Sequence, residues 1–298
     1  MLAPSDSRDN AGYSFTGYEV ELSLAALRWA RRRFNVDENR IIATGISRGG
    51  HLTWDLVLRH PDRFAAAAPM VGGPRLQIAA GQNNVRYLEN VAHLPLRDLQ
   101  GSRDDPILLF TLRHVFGRLE ELGAADAELI EFPELGHTFE LGAVDWREFL
   151  GSAEREPVPA EVVRLASDLD EARASWVEIT KFGRDVAEEF QPKVKASQWN
   201  ALDDNGKRLF LNDEAEQRTA RLAATLVEPG TIRAEGEGVS KFRVLLTPAM
   251  LDGDGRVTVT FNGKRRKKRP RPDAEVLLEE FVERFDRTFL PTAELQLP

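Results

Sequence analysis

The first 150 residues alternate between two hydrophobic patterns, one with helical spacing and one of short apolar runs. Helical spacing predicts helices at 18–34, 49–60 and 108–122. Short apolar or β-branched runs predict buried strands at 40–44, 64–70, 94–99 and 128–132. Strands that alternate with helices are typical of βαβ units, so this part of the chain is predicted to form a parallel sheet flanked by helices.

A different organisation is predicted after residue 150. Segment 151–160 holds prolines among charged residues and is predicted to link a first domain, 1–150, to a smaller β-rich accessory domain, 161–298. The βαβ rhythm is absent beyond the linker, and 183–217 shows no clear periodicity. The predicted fold class is therefore α/β, followed by a β-rich unit.

Two turn signals predict β-hairpins in this second unit. Val257–Phe261 alternates at period two, and Asn262-Gly263 directly after it is the preferred two-residue hairpin turn. Pro229-Gly230 marks another turn between two short apolar runs. A single late helix is predicted over 276–285.

Composition and charge exclude several classes of protein. The net charge of −8 argues against general nucleic-acid binding, and the absence of cysteine excludes disulfides and thiolate chemistry. No run approaches the roughly 18 apolar residues that cross a membrane. The first residues lack a signal-peptide pattern, so the sequence as it stands predicts a cytoplasmic location, although a longer N-terminus could carry a signal.

The segment Gly45-Ile46-Ser47-Arg48-Gly49 fits the pattern G-x-S-x-G. It follows a β-branched run and precedes a helix, which is the context of a strained strand-to-helix turn that exposes a serine hydroxyl. We therefore interpret Ser47 as a nucleophile, with the backbone amide of Arg48 directed at the oxyanion that forms when a carbonyl is attacked. An ordinary glycine-rich turn is the alternative.

A serine nucleophile needs a base and a carboxylate that orients the base. After this kind of turn the chain order is Ser, then Asp or Glu, then His. Asp104 and His137 each follow a predicted strand, so both are expected at the carboxyl edge of the sheet beside Ser47. Asp104 is preferred to the adjacent Asp105, and either could instead be an ion-paired surface residue. His51, His60, His93 and His114 lie within or beside other elements and are weaker candidates.

Residues 36–51, with Trp54-Asp55-Leu56 and 60–66, resemble the esterase and predicted-peptidase branch of the α/β-hydrolases. That branch includes polyhydroxybutyrate depolymerase-like, feruloyl esterase-like and acetylxylan esterase-like proteins. The resemblance continues through 101–104 and 131–137 and implies hydrolysis of carboxyl esters by Ser47, Asp104 and His137. It implies no cofactor and no metal.

Two further comparisons with that branch concern the ends of the chain. The segments 174–179, 238–242 and 257–264 resemble the accessory β-domain of planctomycete-type members, which implies no activity. Members of the branch have several strands before the serine turn, one of which is followed by a second oxyanion-hole donor. Only one possible strand remnant, at 1–4, and one helix precede the turn here, so we expect an N-terminally truncated hydrolase.

Two charged segments have simpler interpretations than binding sites. The run 264–269 (Lys-Arg-Arg-Lys-Lys-Arg) is interpreted as an edge strand whose charges block edge-to-edge pairing, with nucleic-acid or acidic-polysaccharide binding as the alternative. Asp252-Gly253-Asp254-Gly255 lacks the glutamate that would close a calcium loop at position 263, so a tight turn is predicted.

The sequence therefore predicts a serine esterase that acts on a small-molecule or polysaccharide-linked ester and binds neither nucleic acid nor membrane. A serine peptidase of the same fold would use the same three residues. An inactive hydrolase remnant with a binding or scaffolding role is the alternative of a different class, favoured by the missing early strands.

Overall fold

The computed structural model describes residues 1–4, 13–15, 17–76 and 83–298. The described part of the first 152 residues contains four α-helices and four strands, which alternate except that no α-helix separates the second strand from the third. The helices are α1 (Tyr18–Arg33), α2 (Arg48–Arg59), α3 (Pro106–Glu121) and α4 (Trp146–Ser152). The strands are β1 (Ile42–Ile46), β2 (Ala66–Met70), β3 (Leu96–Gly101) and β4 (Ala127–Phe132). Each strand and helix predicted between residues 18 and 132 is confirmed, with ends that differ by at most two residues, whereas residues 1–4, the possible strand remnant, form no strand.

The four strands make one parallel sheet in the order β1-β2-β3-β4. Strand β2 is buried along its whole length, as its near-continuous apolar sequence predicts. One face of the sheet packs on the helices α1, α2 and α3, and Trp54 and Leu112 are fully buried there. The other face packs on α4 through Phe149. The predicted α/β class is therefore confirmed for this part.

The remaining residues form two further sheets and three helices. The strands are β5 (Glu161–Ala166), β6 (Arg173–Ala174), β7 (Val177–Phe182), β8 (Ala220–Glu228), β9 (Thr231–Glu237), β10 (Val239–Leu246), β11 (Val257–Phe261), β12 (Lys264–Lys268) and β13 (Ala293–Leu297). The helices are α5 (Ala196–Asn200), α6 (Asp204–Glu216) and α7 (Ala274–Arg284). The sheet orders are β12-β11-β9-β8-β5 and β13-β10-β7-β6.

Both predicted hairpins are present. Asn262 and Gly263 have φ angles of 43° and 78°, the left-handed values that a two-residue type I′ turn requires. The basic run forms β12 at the edge of its sheet, with every residue exposed, so its interpretation as an edge strand is confirmed. Asp252 closes a tight turn by accepting hydrogen bonds from the backbone N–H groups of Asp254 and Arg256.

Several elements of the second half are not evident from periodicity. Strand β5 has the inward alternation Val162, Arg164, Ala166, and the arginine at its centre is almost fully buried. A charged residue on the inner face breaks the apolar alternation that reveals a strand. The segment 183–217, which showed no pattern, contains α5 and α6, and their largely polar sequences explain why it was not interpreted.

The two halves meet through buried ion pairs. Asp62, just after α2, accepts hydrogen bonds from Arg284 Nη1 at 2.6 Å and from the backbone N–H of Ser175 at 2.9 Å. Arg155, in the predicted linker, lies 2.8 Å from Asp286. Arg31 interrupts the apolar stripe of α1 because it is buried against the second half, where its Nη1 donates to the backbone oxygen of Arg284. The division into domains 1–150 and 161–298 stays a prediction.

No helix in the described ranges is long and apolar enough to cross a membrane.

Asp98 is a buried carboxylic acid in the core of the first sheet. Its Oδ2 accepts a hydrogen bond from Trp54 Nε1 at 2.7 Å, and burial raises the pKa of its carboxyl well above the ordinary value. A raised folded-state pKa means that the folded protein holds a proton that the unfolded chain has released. Stability is therefore lost as pH rises from the unfolded pKa through the folded pKa.

We expect the replacement Asp98→Asn to remove this pH dependence. The free energy of unfolding of the wild type should fall relative to the variant as pH rises above about 4, by about 1.4 kcal/mol for each pH unit of the pKa shift. Urea denaturation of both proteins over a pH series measures the difference. Parallel pH profiles would contradict a protonated Asp98.

Candidate active site

Ser47 lies at the turn between β1 and α2 in a strained conformation. Its φ is 56° and its ψ is −112°, outside the regions that side-chain-bearing residues normally adopt. The backbone N–H of Ser47 donates to Met70 O at 2.8 Å, and the N–H of His51 donates to Ser47 O at 3.1 Å. These bonds hold the turn against β2 and α2. The predicted context of strand, sharp turn and helix is confirmed.

Glycine is required here where backbones approach closely. A Cβ on Gly45 would collide with the backbone of Gly49, and a Cβ on Gly50 would lie 2.6 Å from Met70 O. A Cβ on Gly49 would meet nothing within 4 Å. Gly45 therefore has to be glycine because it packs directly on the backbone of Gly49. Gly50, which is outside the motif, has to be glycine because it packs on β2.

The structure brings Ser47, His137 and Asp104 together. His137 Nε2 lies 2.8 Å from Ser47 Oγ, and its Nδ1 lies 2.8 Å from Asp104 Oδ2. An ionised carboxylate only accepts, so Nδ1 carries the proton and Nε2 is left to accept from the serine hydroxyl. The side chain of His137 is 54% exposed, and Ser47 is half-buried.

Asp104 and Asp105 have different partners. Asp105 is the N-cap of α3, and its side chain accepts from the backbone N–H of Ile107. Asp104 accepts from His137, from Gln100 Nε2 at 2.7 Å and from the N–H of Asp105 at 2.8 Å. Partial burial opposes ionisation of Asp104, but these hydrogen bonds outweigh it and lower the pKa of its carboxyl.

Gln100 is a residue of the site that sequence reasoning missed. It is fully buried near the end of β3, and its amide holds the same carboxylate oxygen that faces His137. Gln100 directly follows the predicted strand 94–99 and stands four positions before the acid, and this polar residue at the carboxyl end of the strand was the available signal. Gln100 fixes the orientation of the carboxylate and is a positioning residue.

The other four histidines lie outside this cluster. His51 Nδ1 is 2.6 Å from Gly73 O, and burial lowers the pKa of the His51 ring. His60 is buried at the far end of α2, and His114 is on α3. His93 lies just before β3. Each lies in the element where the sequence placed it, and of the five histidine rings only that of His137 is within hydrogen-bond distance of the Ser47 hydroxyl.

Arg48 is the first residue of α2, so its backbone amide lies at the helix N-terminus, where the helix dipole favours negative charge. Within the described residues, no group of three or more His, Asp or Glu side chains is arranged to hold a metal ion. The chemistry that this arrangement offers is nucleophilic attack by an activated serine, with a developing negative charge at the start of α2.

Residues 14–77, about a fifth of the 298-residue chain, match the model of the prolyl oligopeptidase family, Peptidase_S9. This segment contains α1, β1, the Ser47 turn, α2 and β2. No curated protein sequence matches the chain.

Several solved structures resemble part of the chain. A thermostable esterase is 28% identical over 38% of this chain and 28% of its own length, with a TM-score of 0.33. Esterase PE8 is 20% identical over 51% of this chain and 69% of its own, with a TM-score of 0.35. A puromycin-hydrolyzing peptidase of Mycobacterium tuberculosis is 19% identical over 44% of this chain and 24% of its own, with a TM-score of 0.36.

This chain therefore spans little more than a quarter of the length of the first of these proteins. Because the TM-scores are below 0.5, the alignments do not assign an activity. The parallel sheet, the helices on both of its faces and the strained serine turn arrange the described residues between 17 and 152 as a partial α/β-hydrolase fold. The family match over the segment that holds the turn supports a serine hydrolase of that superfamily.

Proposed function

We propose that the protein hydrolyses carboxyl esters through an acyl-enzyme on Ser47, with His137 as general base and Asp104 as the carboxylate that orients it. The observation that carries the proposal is the relay from Ser47 Oγ to His137 Nε2 and from His137 Nδ1 to Asp104, each step 2.8 Å. The strained backbone of Ser47 supports it further, because strain of this kind persists where it aims a reactive group.

The geometry supports a two-step reaction. His137 Nε2 takes the proton of Ser47 as Oγ attacks the carbonyl carbon, and returns that proton to the departing alkoxide. Water then attacks the acyl group, with His137 again as base, and releases the acid and the free serine. Asp104 stabilises the imidazolium in both steps, and the low pKa of its carboxyl keeps it ionised.

The amide of Arg48 is the proposed oxyanion donor. It belongs to the residue that follows the nucleophile and lies at the N-terminus of α2, so both the N–H and the helix dipole favour the negative oxygen of the tetrahedral intermediate. The accessible position of His137 and Ser47 is compatible with a small ester or with an ester linked to a polysaccharide.

A serine peptidase is the second candidate, and the match to the prolyl oligopeptidase family favours it. Ester and amide cleavage share every step above and differ in the leaving group, since an amine must be protonated before it can depart. A paired substrate series distinguishes the two. The p-nitrophenyl ester and the p-nitroanilide of the same acyl group are compared, and the ratio of their kcat/KM values is set against the ratio of their uncatalysed hydrolysis rates. For an esterase, we expect the enzymatic ratio to be the larger of the two. An enzymatic ratio below the uncatalysed one, measured with peptidyl esters and anilides, would favour the peptidase.

Labelling by a fluorophosphonate tests the nucleophile directly. We expect one modified residue, Ser47, because the phosphonyl group traps the serine that a neighbouring histidine activates. Peptide mass spectrometry locates the label, and the variant Ser47→Ala is the control that should remain unlabelled. A label on another serine would overturn the assignment. A folded protein that takes no label would favour the inactive-remnant alternative.

A further inference from the structure

The loop after β4, which carries His137, is hydrogen-bonded to the loop after β3. The backbone N–H of Arg103 donates to Leu135 O at 2.8 Å, and the N–H of Ser102 donates to Phe132 O at 3.0 Å. These bonds continue the pairing of the two parallel strands beyond the end of β3. The base of the proposed relay and the carboxylate that orients it therefore lie on one hydrogen-bonded unit.

The two loops are also in direct backbone contact. A Cβ on Gly101, the last residue of β3, would collide with the backbone oxygens of Gly136 and Leu135. Gly136 immediately precedes His137, so the end of β3 touches the chain at the residue before the base. Only glycine allows this approach, because a side chain at position 101 would displace the loop that carries the base.

The turn that leads to His137 contains a residue in a strained conformation. The N–H of Leu135 donates to Phe132 O at 3.4 Å and closes the four-residue turn Phe132-Pro133-Glu134-Leu135. Glu134 has a φ of 68°, in the left-handed region that glycine and asparagine prefer. A glutamate persists in this conformation only where its surroundings stabilise it.

The hydroxyl of Ser102 provides such a contact. Its Oγ accepts a hydrogen bond from the backbone N–H of Glu134 at 3.1 Å. The guanidinium of Arg103 also pairs with the Glu134 carboxylate, but these two side chains are 64% and 72% exposed, so solvent screens their attraction. The bond to the Ser102 hydroxyl acts on the backbone of the strained residue itself.

We propose that Ser102 is a positioning residue for the reaction: its hydroxyl holds Glu134 in the left-handed conformation and so places the imidazole of His137. This inference rests on the proposed function. Ser102 lies two residues before Asp104, so one short segment carries the acid and also fixes the turn that leads to the base. The imidazole is thereby held beside Ser47 before an ester binds, and proton transfer requires no rearrangement of the loop.

Steady-state kinetics of Ser102→Ala on a p-nitrophenyl ester test this role. We expect kcat to fall about tenfold with KM unchanged, because the imidazole is displaced while the surface that binds the ester is not. Ser102→Thr keeps a hydroxyl and should restore most of kcat. Ser152→Ala is the matched control, since its hydroxyl also bonds to a backbone group, Glu148 O on α4 at 2.9 Å, and both constants should stay at their wild-type values.

A second substitution separates positioning from a general effect on the fold. Glycine adopts a positive φ without strain, so Glu134→Gly makes the turn independent of the hydroxyl. In that background the loss of kcat caused by Ser102→Ala should shrink from about tenfold to about threefold or less. Equal losses in the two backgrounds would mean that Ser102 acts in some other way and would overturn the positioning role.

Kinetics, labelling and crystallography together distinguish this role from the hydrolytic function itself. A wild type that neither hydrolyses the ester nor takes the fluorophosphonate at Ser47 overturns the function. A reactive wild type whose kcat is within about twofold of that of Ser102→Ala overturns the positioning role. The crystal structure of Ser102→Ala tests that role without any activity. We expect His137 Nε2 to lie beyond hydrogen-bond distance of Ser47 Oγ there, and an unchanged distance of 2.8 Å would overturn the role.

Discussion

Replacing His137 with alanine should reduce the turnover of a p-nitrophenyl ester by about four to six orders of magnitude. The imidazole is the group placed to accept the proton of Ser47, and a serine hydroxyl without a base is a poor nucleophile. The fold should tolerate the change within about 1 kcal/mol, because the side chain is 54% exposed and packs little core. Initial rates and urea denaturation of the same preparations measure both effects.

Control variants test whether the loss of activity is specific to the hydrogen-bonded residues Ser47, His137 and Asp104. His114→Gln, on α3, should leave turnover unchanged. Asp104→Asn should lose most of the activity, whereas Asp105→Asn should retain it, because Asp105 caps a helix. Unchanged kcat in His137→Ala, or the reverse ranking of the two aspartates, would show that the relay is assigned to the wrong residues.

Replacing Asp62 with alanine should lower the free energy of unfolding by about 3–5 kcal/mol, the usual cost of leaving a buried charge without its partner. Asp62 and Arg284 are 9% and 7% exposed and lie 2.6 Å apart at the junction of the two halves. Arg63 follows Asp62 in sequence and is repelled by Arg284, so the variant would leave these two cations without the carboxylate between them. Chemical denaturation measures the loss.

The pH dependence of this loss follows from the pKa of Asp62. Burial opposes its ionisation, but the charges of Arg284 and Arg63 and the hydrogen bonds from Arg284 and Ser175 outweigh burial and hold its pKa well below the ordinary value. A depressed folded-state pKa gives stability that is present above the unfolded pKa and lost as pH falls through the folded pKa. The difference between wild type and variant should therefore be full above about pH 5 and shrink in acid.

Glu131→Ala is the matched control for Asp62→Ala. It also breaks a carboxylate–arginine pair, but the partner Arg113 is 59% exposed, so the loss should stay below about 1 kcal/mol. Similar losses in the two variants would mean that the junction is solvated and that the Asp62 pair contributes little.

The serine turn was predictable because its requirements are local. A β-branched run, two flanking glycines and a following helix are all contiguous in sequence, and the backbone strain at Ser47 follows from them. The order Ser, Asp, His narrowed the partners to the carboxyl ends of β3 and β4. The sequence could rank Asp104 above Asp105, but the reason why Asp104 is the partner of His137 lies in the tertiary structure. Asp105 caps α3, whereas Gln100 donates to Asp104 and orients its carboxylate toward His137.

The burial of several arginines could not be predicted from the periodicity of the sequence. Arg31, Arg164 and Arg284 occupy inward positions that periodicity assigns to apolar side chains, and each is buried beside charged residues distant in the chain. The spacing of apolar residues shows only whether one helix or strand has an apolar face. It cannot show that a charged residue of another element will pair with an arginine on that face.

The sequence by itself thus determined the parallel sheet, the serine turn and both hairpins, since apolar periodicity and glycine geometry act within a few residues. Only the tertiary structure decided the junction between the two halves, because the cost of burying a charge depends on partners more than 100 residues away.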